Sequence, residues 1–250
     1  MSGIRTRNEV VWHDVECGAY EADLPLWREL AAQAGADRCE LLELGCGTGR
    51  VALPLAVDHH VTALDTDPDL VEALARRAAG RGLKLEAIVA DARSFTLGRS
   101  FDLVLAPMQL VQLLHGTEER TAMLAGVRSH LRPGGVAALA LLALEDEWTA
   151  SPDEAPFPDL RELEGWTYAS RPVAVRRVER GAGIVLERVR QTVSPAGEVQ
   201  EELAHIQLEL VRPEQLEQEA LALGFKPLPS REIAPTQEHV GSTVVVLEGP

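Results

Sequence analysis

The sequence predicts a doubly wound α/β fold with a small antiparallel β insertion after its fifth core strand. Three observations carry that expectation. From Leu41 onward, short near-continuous apolar runs alternate with amphipathic segments, the pattern of strands buried on both faces beneath helices. The first of these runs passes directly into a glycine-rich turn. After Leu144 the pattern changes to longer runs broken by Gly and Pro, as in an antiparallel meander.

Taken in order, residues 1–23 are mixed in polarity and read as an arm or short helix, followed by a helix over 24–34. The predicted core strands are Leu41–Leu44, Val61–Leu64, Leu83–Val89, Phe101–Ala106 and Val136–Leu142, with a helix after the first of them. Asp67-Pro68 is a helix start, an N-cap followed by proline at the first helical position. That helix shows Leu70, Val71, Leu74 and Ala78 on one face and stops near Gly80. A second runs from Thr117 to Leu131, ended by Pro133-Gly134-Gly135. Alternating elements of this kind build a sheet with helices on both faces.

Residues 145–164 are acidic and broken by Pro152, Pro156 and Pro158, and read as a solvated loop. Val173–Glu179, Ile184–Val193 and Val199–Val211 read as the meander, with Ala204, Ile206 and Leu208 on one face of its last strand and His205 on the other. A helix from Pro213 to Gly224 and a strand over Thr243–Leu247 close the chain. The expected divisions are an N-terminal helical cap over 1–38, a core over 39–144, the insertion over 145–212, and a C-terminal helix and strands over 213–250 that complete the core sheet.

The 250 residues include 24 basic and 39 acidic side chains, a formal net charge of −15. Such a chain repels phosphate backbones and anionic membrane surfaces, so neither nucleic acid nor membrane is expected as a partner. Cys17, Cys39 and Cys46 cannot all pair and show no metal-ligand spacing, which fits a reducing cytoplasm. No metal site is expected, since His59-His60 has no third ligand nearby. The charged first twenty residues lack the apolar core of a signal peptide, and Val136–Leu144 is too short to span a bilayer.

The chemistry concentrates in Leu41-Leu-Glu-Leu-Gly-Cys-Gly-Thr-Gly-Arg50. Glycines at 45, 47 and 49 let the chain turn sharply and let a ligand lie against bare backbone. A dinucleotide fingerprint would place its third glycine at 50, where Arg stands; this counts against a nicotinamide oxidoreductase. Asp65 ends the second apolar run, where a carboxylate can accept from both ribose hydroxyls. Asp91 ends the third, where an acid can accept from the exocyclic amine of adenine. Stations at three successive strand ends lie along one crevice of a parallel sheet.

Glu43-Leu-Gly-Cys-Gly-Thr-Gly49, Asp65, Asp91-Ala92, Phe101-Asp-Leu-Val-Leu105 and Leu131-Arg-Pro-Gly-Gly135 together resemble the motif series of class I S-adenosylmethionine-dependent methyltransferases. The resemblance covers about residues 40–142 and implies a Rossmann-like methyltransferase sheet with S-adenosyl-L-methionine as cofactor. It implies that Gly45, Gly47 and Gly49 lie under the methionine part, that Asp65 binds ribose and that Asp91 binds adenine. Thr66 and Ala92 go with these two acids. Glu43 resembles the acid that helps hold the methionyl ammonium, and Pro107 opens the segment that lines the cofactor. The second half resembles small-molecule methyltransferases of bacterial secondary metabolism, whose extra sheet roofs the pocket.

The expected reaction is methyl transfer to an O or N of a small metabolite, by a monomer or homodimer. Some relatives carry histidine near position 112, where this chain has Gln112 with His115 three residues on. Tyr20, Gln112, His115 and His205 are the candidates for catalytic contact, each with an ordinary packing, capping or solvent reading beside it. The alternative function is binding of S-adenosylmethionine or S-adenosylhomocysteine without methyl transfer.

Overall fold

The computed structural model describes residues 2–35, 38–143, 148–149, 157–178, 183–236 and 239–249. The first segment is a full helix, α1 (Ser2–Cys17), followed by α2 (Leu24–Ala34). The core then runs β1 (Glu40–Leu44), α3 (Ala52–Leu55), β2 (His60–Asp65), α4 (Pro68–Gly80), β3 (Leu85–Val89), β4 (Phe101–Ala106), α5 (Leu110–Leu113), α6 (Gly116–His130) and β5 (Leu131–Leu142). The insertion holds β6 (Trp148–Thr149), β7 (Asp159–Leu163), β8 (Trp166–Arg177), β9 (Gly183–Val193) and β10 (Val199–Glu209). The chain ends with α7 (Pro213–Ala222), β11 (Lys226–Ile233) and β12 (Ser242–Glu248).

The main sheet has the order β11-β12-β5-β4-β1-β2-β3. Strands β1 to β5 pair in parallel, and β12 and β11 join antiparallel at one edge. The order reverses between β1 and β4, so the loops leaving those strands frame the crevice where α/β sheets bind ligands. Alternate residues fill two cores. Leu41, Leu103 and Val244 pack with Trp27, Leu53 and Leu74 on one face. Leu42, Val104 and Val245 pack with Met123, Val127 and Leu216 on the other.

Asp67 caps α4 as expected, accepting from the N–H groups of Asp69 (2.8 Å) and Leu70 (3.4 Å). Other boundaries differ. Leu83 lies in the turn that follows α4, not in β3, and its N–H bonds the Ala78 carbonyl. The helix after the glycine turn is only α3. Leu131 opens β5 opposite Phe101, so Pro133-Gly134-Gly135 lies inside a strand instead of ending a helix.

The insertion is a second, antiparallel sheet of order β10-β9-β8-β6, with β7 also on β8. The loop reading of 145–164 fails at its end, where 159–163 pairs with β8 through a two-residue turn at Glu164-Gly165. The rest of that acidic stretch lies largely outside the described residues, as do Arg180 and the turn after β8. Strands are expected over 213–250, with bounds only for the last; the other is β11, which holds Pro227 and Pro229 because it is an edge strand with an irregular register. Among the described residues, no helix is long and apolar enough to cross a membrane.

Candidate cofactor and acceptor site

The glycine turn begins where β1 ends. Gly45, Gly47 and Gly49 all have positive φ, at 66°, 52° and 93°. The Cys46 N–H bonds the Leu64 carbonyl at 2.9 Å, and the Gly47 N–H donates to Asp65 Oδ2 at 2.8 Å. The other Asp65 oxygen accepts from the Asp67 N–H at 3.0 Å. One carboxylate thus fixes both the turn after β1 and the start of α4. A side chain at 49 would meet Leu74 at 2.3 Å, so that glycine serves the packing of α4.

Glu43 is 2% exposed, and its Oε2 has no hydrogen-bond partner. Burial pushes its carboxyl up to about 8, with Arg50 the strongest opposing influence. Asp91 follows β3 and is gripped by Arg93, through the backbone N–H at 2.8 Å and the guanidinium at 2.6 Å. Those bonds from Arg93 hold the Asp91 carboxyl below the usual carboxylate range. Ala92 and Pro107 are buried, and Thr66 is exposed just past β2. Glu43, the glycines, Asp65, Thr66, Asp91, Ala92 and Pro107 therefore all stand on loops or strands at the carboxyl end of the parallel sheet. Three of them, Glu43, Asp65 and Asp91, present carboxyl oxygens, which suits a ligand rich in donors and positive charge.

The catalytic candidates are placed less favourably. Gln112 is 1% exposed and bonds the Leu142 backbone from both ends of its amide, at 2.7 and 3.3 Å. His115 is exposed at the start of α6, and His205 is exposed on β10. Tyr20 is buried between the Arg50 guanidinium, 5.1 Å from its ring centroid, and the His239 ring at 4.7 Å. Cys46 is buried and its thiol is pushed well up by burial, so it is held as the protonated form.

Sequence reasoning missed the residues that α1 brings to the turn. Asp14 takes both guanidinium nitrogens of Arg77, a further bond from Arg161 at 2.9 Å, and the Thr48 hydroxyl at 2.7 Å. Burial opposes the charge on Asp14, but the bonds from Arg77 and Thr48 keep its carboxyl below the ordinary range. His13 lies against Gly47. A Cβ there would stand 2.1 Å from its Nε2. The opposite face of α1 meets the second sheet: Trp12 packs edge-on to Tyr168 at 5.4 Å, and Glu16 takes Arg190 at 2.7 Å and Ser170 at 2.7 Å. Arg50, read only as a break in register, is a buried cation clasped by Asp23 at 2.6 and 2.7 Å. These partners lie 27 to 63 residues apart for the core contacts, so no local spacing announces them.

A cleft of about 650 Å³ lies on the outer side of the turn, between α1, α3, α4 and β7, and includes none of Asp65, Asp91 and Pro107. No group of three or more metal-ligating side chains occurs among the described residues.

Residues 41–135 match the family described as a methyltransferase domain. Over these residues the core is similar to methyltransferase domains. One structural neighbour holds S-adenosylmethionine, a cation that the partnerless Glu43 oxygen suits. The chain is 35% identical over 100 residues to a cypemycin N-terminal methyltransferase of a Streptomyces species, a match spanning 40% of each chain. The chain thus spans about two-fifths of the length of that curated relative. The fold is similar to that of DesVI from Streptomyces venezuelae, with a TM-score of 0.72, 21% identity and 94% of each chain covered. It is also similar to an S-adenosylmethionine-bound amino pentose methyltransferase from Micromonospora echinaspora involved in calicheamicin biosynthesis. That structure has a TM-score of 0.71 and 25% identity, covering 96% of this chain and 97% of the other. Both likenesses extend over the second sheet, which is therefore part of the shared fold.

Proposed function

We propose that the chain transfers the methyl group of S-adenosylmethionine to a nitrogen or oxygen nucleophile of a small metabolite. The observation that carries this reading is the joint presence of a ligand-ready crevice and a roof. Glu43, the glycine turn, Asp65 and Asp91 occupy strand ends of one parallel sheet. The antiparallel sheet is held beside them by α1, through Glu16 and Trp12. The named activities of the cypemycin N-terminal methyltransferase and of a sugar N-methyltransferase of similar fold favour nitrogen as the nucleophile.

Bound S-adenosylmethionine supplies a methyl group already activated on a sulfonium. What the protein adds is position. Holding nucleophile and methyl carbon in line is worth up to ~7–11 kcal/mol in favourable cases. Asp65 and Asp91 would hold ribose and adenine, with Thr66, Ala92 and Pro107 lining the station ends. Glu43 and the glycine turn would hold the methionyl end. The roof would shut water out, and the acceptor nitrogen would present its lone pair on the far side of the methyl group. An amine arriving deprotonated needs no general base, so the burial of Tyr20 and the structural engagement of Gln112 are compatible with turnover.

Incubation with S-adenosylmethionine and a panel of amino sugars, small amines and phenols, with S-adenosylhomocysteine measured, tests the reading. Acceptor-dependent formation of S-adenosylhomocysteine supports it. Gln112 favours one other reading, cofactor binding without transfer, because its amide is fully spent on the backbone of Leu142. Tight cofactor binding with no acceptor turning over would select that second reading.

A further inference from the structure

We infer that His13 is a cofactor-binding residue, whose Nε2 accepts a hydrogen bond from the α-ammonium group of S-adenosylmethionine or S-adenosylhomocysteine. The inference rests on the cofactor occupying the crevice at the glycine turn, as proposed above.

The protonation of the ring follows from its neighbours. Thr48 has one hydroxyl proton, and at 2.7 Å it goes to the Asp14 carboxylate. Arg77 keeps that carboxylate ionised, so Asp14 has no proton to return. The contact of 3.3 Å between Thr48 Oγ1 and His13 Nδ1 must then run from the imidazole N–H to the hydroxyl oxygen. Nδ1 carries the proton and Nε2 carries the lone pair. Burial, the largest influence, lowers the tendency of His13 to take a second proton, while Asp65 and Asp14 raise it.

The lone pair has a defined place. Nε2 and Cε1 fill the space left by the absent side chain of Gly47, at 2.1 and 2.3 Å from where a Cβ would stand. The N–H of that glycine is already given to Asp65. Among the described residues no donor reaches Nε2. The cations nearest His13 are committed elsewhere: Arg77 to Asp14 and the Thr48 carbonyl, and Arg50 to Asp23 and the Tyr20 carbonyl. An unprotonated ring nitrogen beside a carboxylate is a place for a cationic donor. The cofactor's α-ammonium is one; a ribose hydroxyl would gain less from the surrounding charge.

The test is calorimetric binding of two probes, S-adenosylhomocysteine and 5′-methylthioadenosine. The second keeps adenine, ribose and sulfur but has no ammonium. His13→Phe is expected to weaken S-adenosylhomocysteine by about 10- to 100-fold while leaving 5′-methylthioadenosine unchanged. His13→Gln, which keeps an acceptor, recovers most of the loss. In the wild type, S-adenosylhomocysteine affinity falls as pH is lowered from about 7.5 to about 5, because protonated His13 cannot accept and repels the ammonium. Asp65 on β2, Asp14 on α1, Arg77 on α4 and Arg50 after the turn face the same ring, so the informative quantity is the difference between wild type and His13→Gln. That difference grows toward low pH for S-adenosylhomocysteine and is absent for 5′-methylthioadenosine.

Unchanged S-adenosylhomocysteine binding by His13→Phe overturns the assignment. So does tighter binding, which would make His13 an obstruction, and so does an equal loss of both probes, which would make it a support of the turn. Failure of the wild type to bind either probe removes the cofactor reading itself.

Discussion

Gln112 brackets the backbone of Leu142, accepting from its N–H at 2.7 Å and donating to its carbonyl at 3.3 Å. The side chain acts as one rung of sheet at the point where β5 leaves the core, directly before the insertion begins. Gln112→Ala leaves two partly buried backbone groups without this partner. It is expected to cost about 1–3 kcal/mol of stability in urea denaturation. Gln112→His cannot satisfy both groups and is expected to fall in the same range. A variant as stable as the parent would show that water replaces the rung without loss.

Arg50 and Asp23 form a buried ion pair, with side chains 7% and 1% exposed, and Trp27 donates to the same carboxylate at 2.8 Å. Arg50→Ala leaves Asp23 charged without its partner, at an expected cost of about 3–5 kcal/mol. The double change Arg50→Met with Asp23→Asn is expected to be milder than Arg50→Ala alone. Denaturation curves of the two variants decide this, and equal losses would argue against an uncompensated charge as the cause.

Gly47→Ala acts through α1. Its new methyl group would occupy the position of the His13 ring, at 2.1 Å from Nε2, in a backbone conformation with φ of 52°. The expected result is release of α1 from the turn, seen as faster amide hydrogen exchange over residues 9–17, with weaker S-adenosylhomocysteine binding. Gly47→Val does the same more severely. Unaltered exchange in α1 would show that His13 finds another seat.

Glu43 makes the stability of the unliganded protein depend on pH. Its folded-state value of about 8 lies above the ordinary 4.5, so the folded protein holds a proton that the unfolded chain has lost. The sign is therefore a loss of stability as pH rises from about 4.5 to about 8, with the full benefit of neutrality present below that window. Glu43→Gln removes this component. It is expected to raise the melting temperature at pH near 8 while changing it little at pH near 4.5, by roughly 2–4 °C for each kcal/mol recovered. Identical shifts at both pH values would show that Glu43 is already ionised when folded.

The parts legible in the sequence are those encoded by neighbours in the chain. Asp67-Pro68 announces α4 because cap and helix are adjacent, and the alternation through β10 announces which of its residues face inward. The apolar runs announce β1, β2 and β4 because strands buried on both faces have no polar face to confuse the pattern. Glu43, the glycine turn, Asp65 and Asp91 follow from strand ends in order. Strand β7 was hidden because its residues are mostly polar and it pairs only with β8, while the bounds of β11 were hidden by two prolines tolerated at an edge. His13 could not be read, since what gives it meaning is a glycine 34 residues away. The single signal was that α1 carries Trp12, His13 and Asp14 side by side, which no simple amphipathic helix needs.

Helix α1 is claimed from two sides. Trp12 and Glu16 fasten to the second sheet, while His13 and Asp14 fasten to the glycine turn and α4, Asp14 also reaching Arg161 of β7. Within these five positions the helix has no rotational freedom left to spend, because each successive residue is turned about 100° from the last. Adding or deleting one residue between Trp12 and Glu16 would throw one set of contacts off its partners whichever set stayed in place. Substitutions here should each remove the contacts of one side chain, whereas a change in residue count should displace a whole set of contacts at once. The protein therefore measures the register between its two halves in whole residues, and α1 is the ruler.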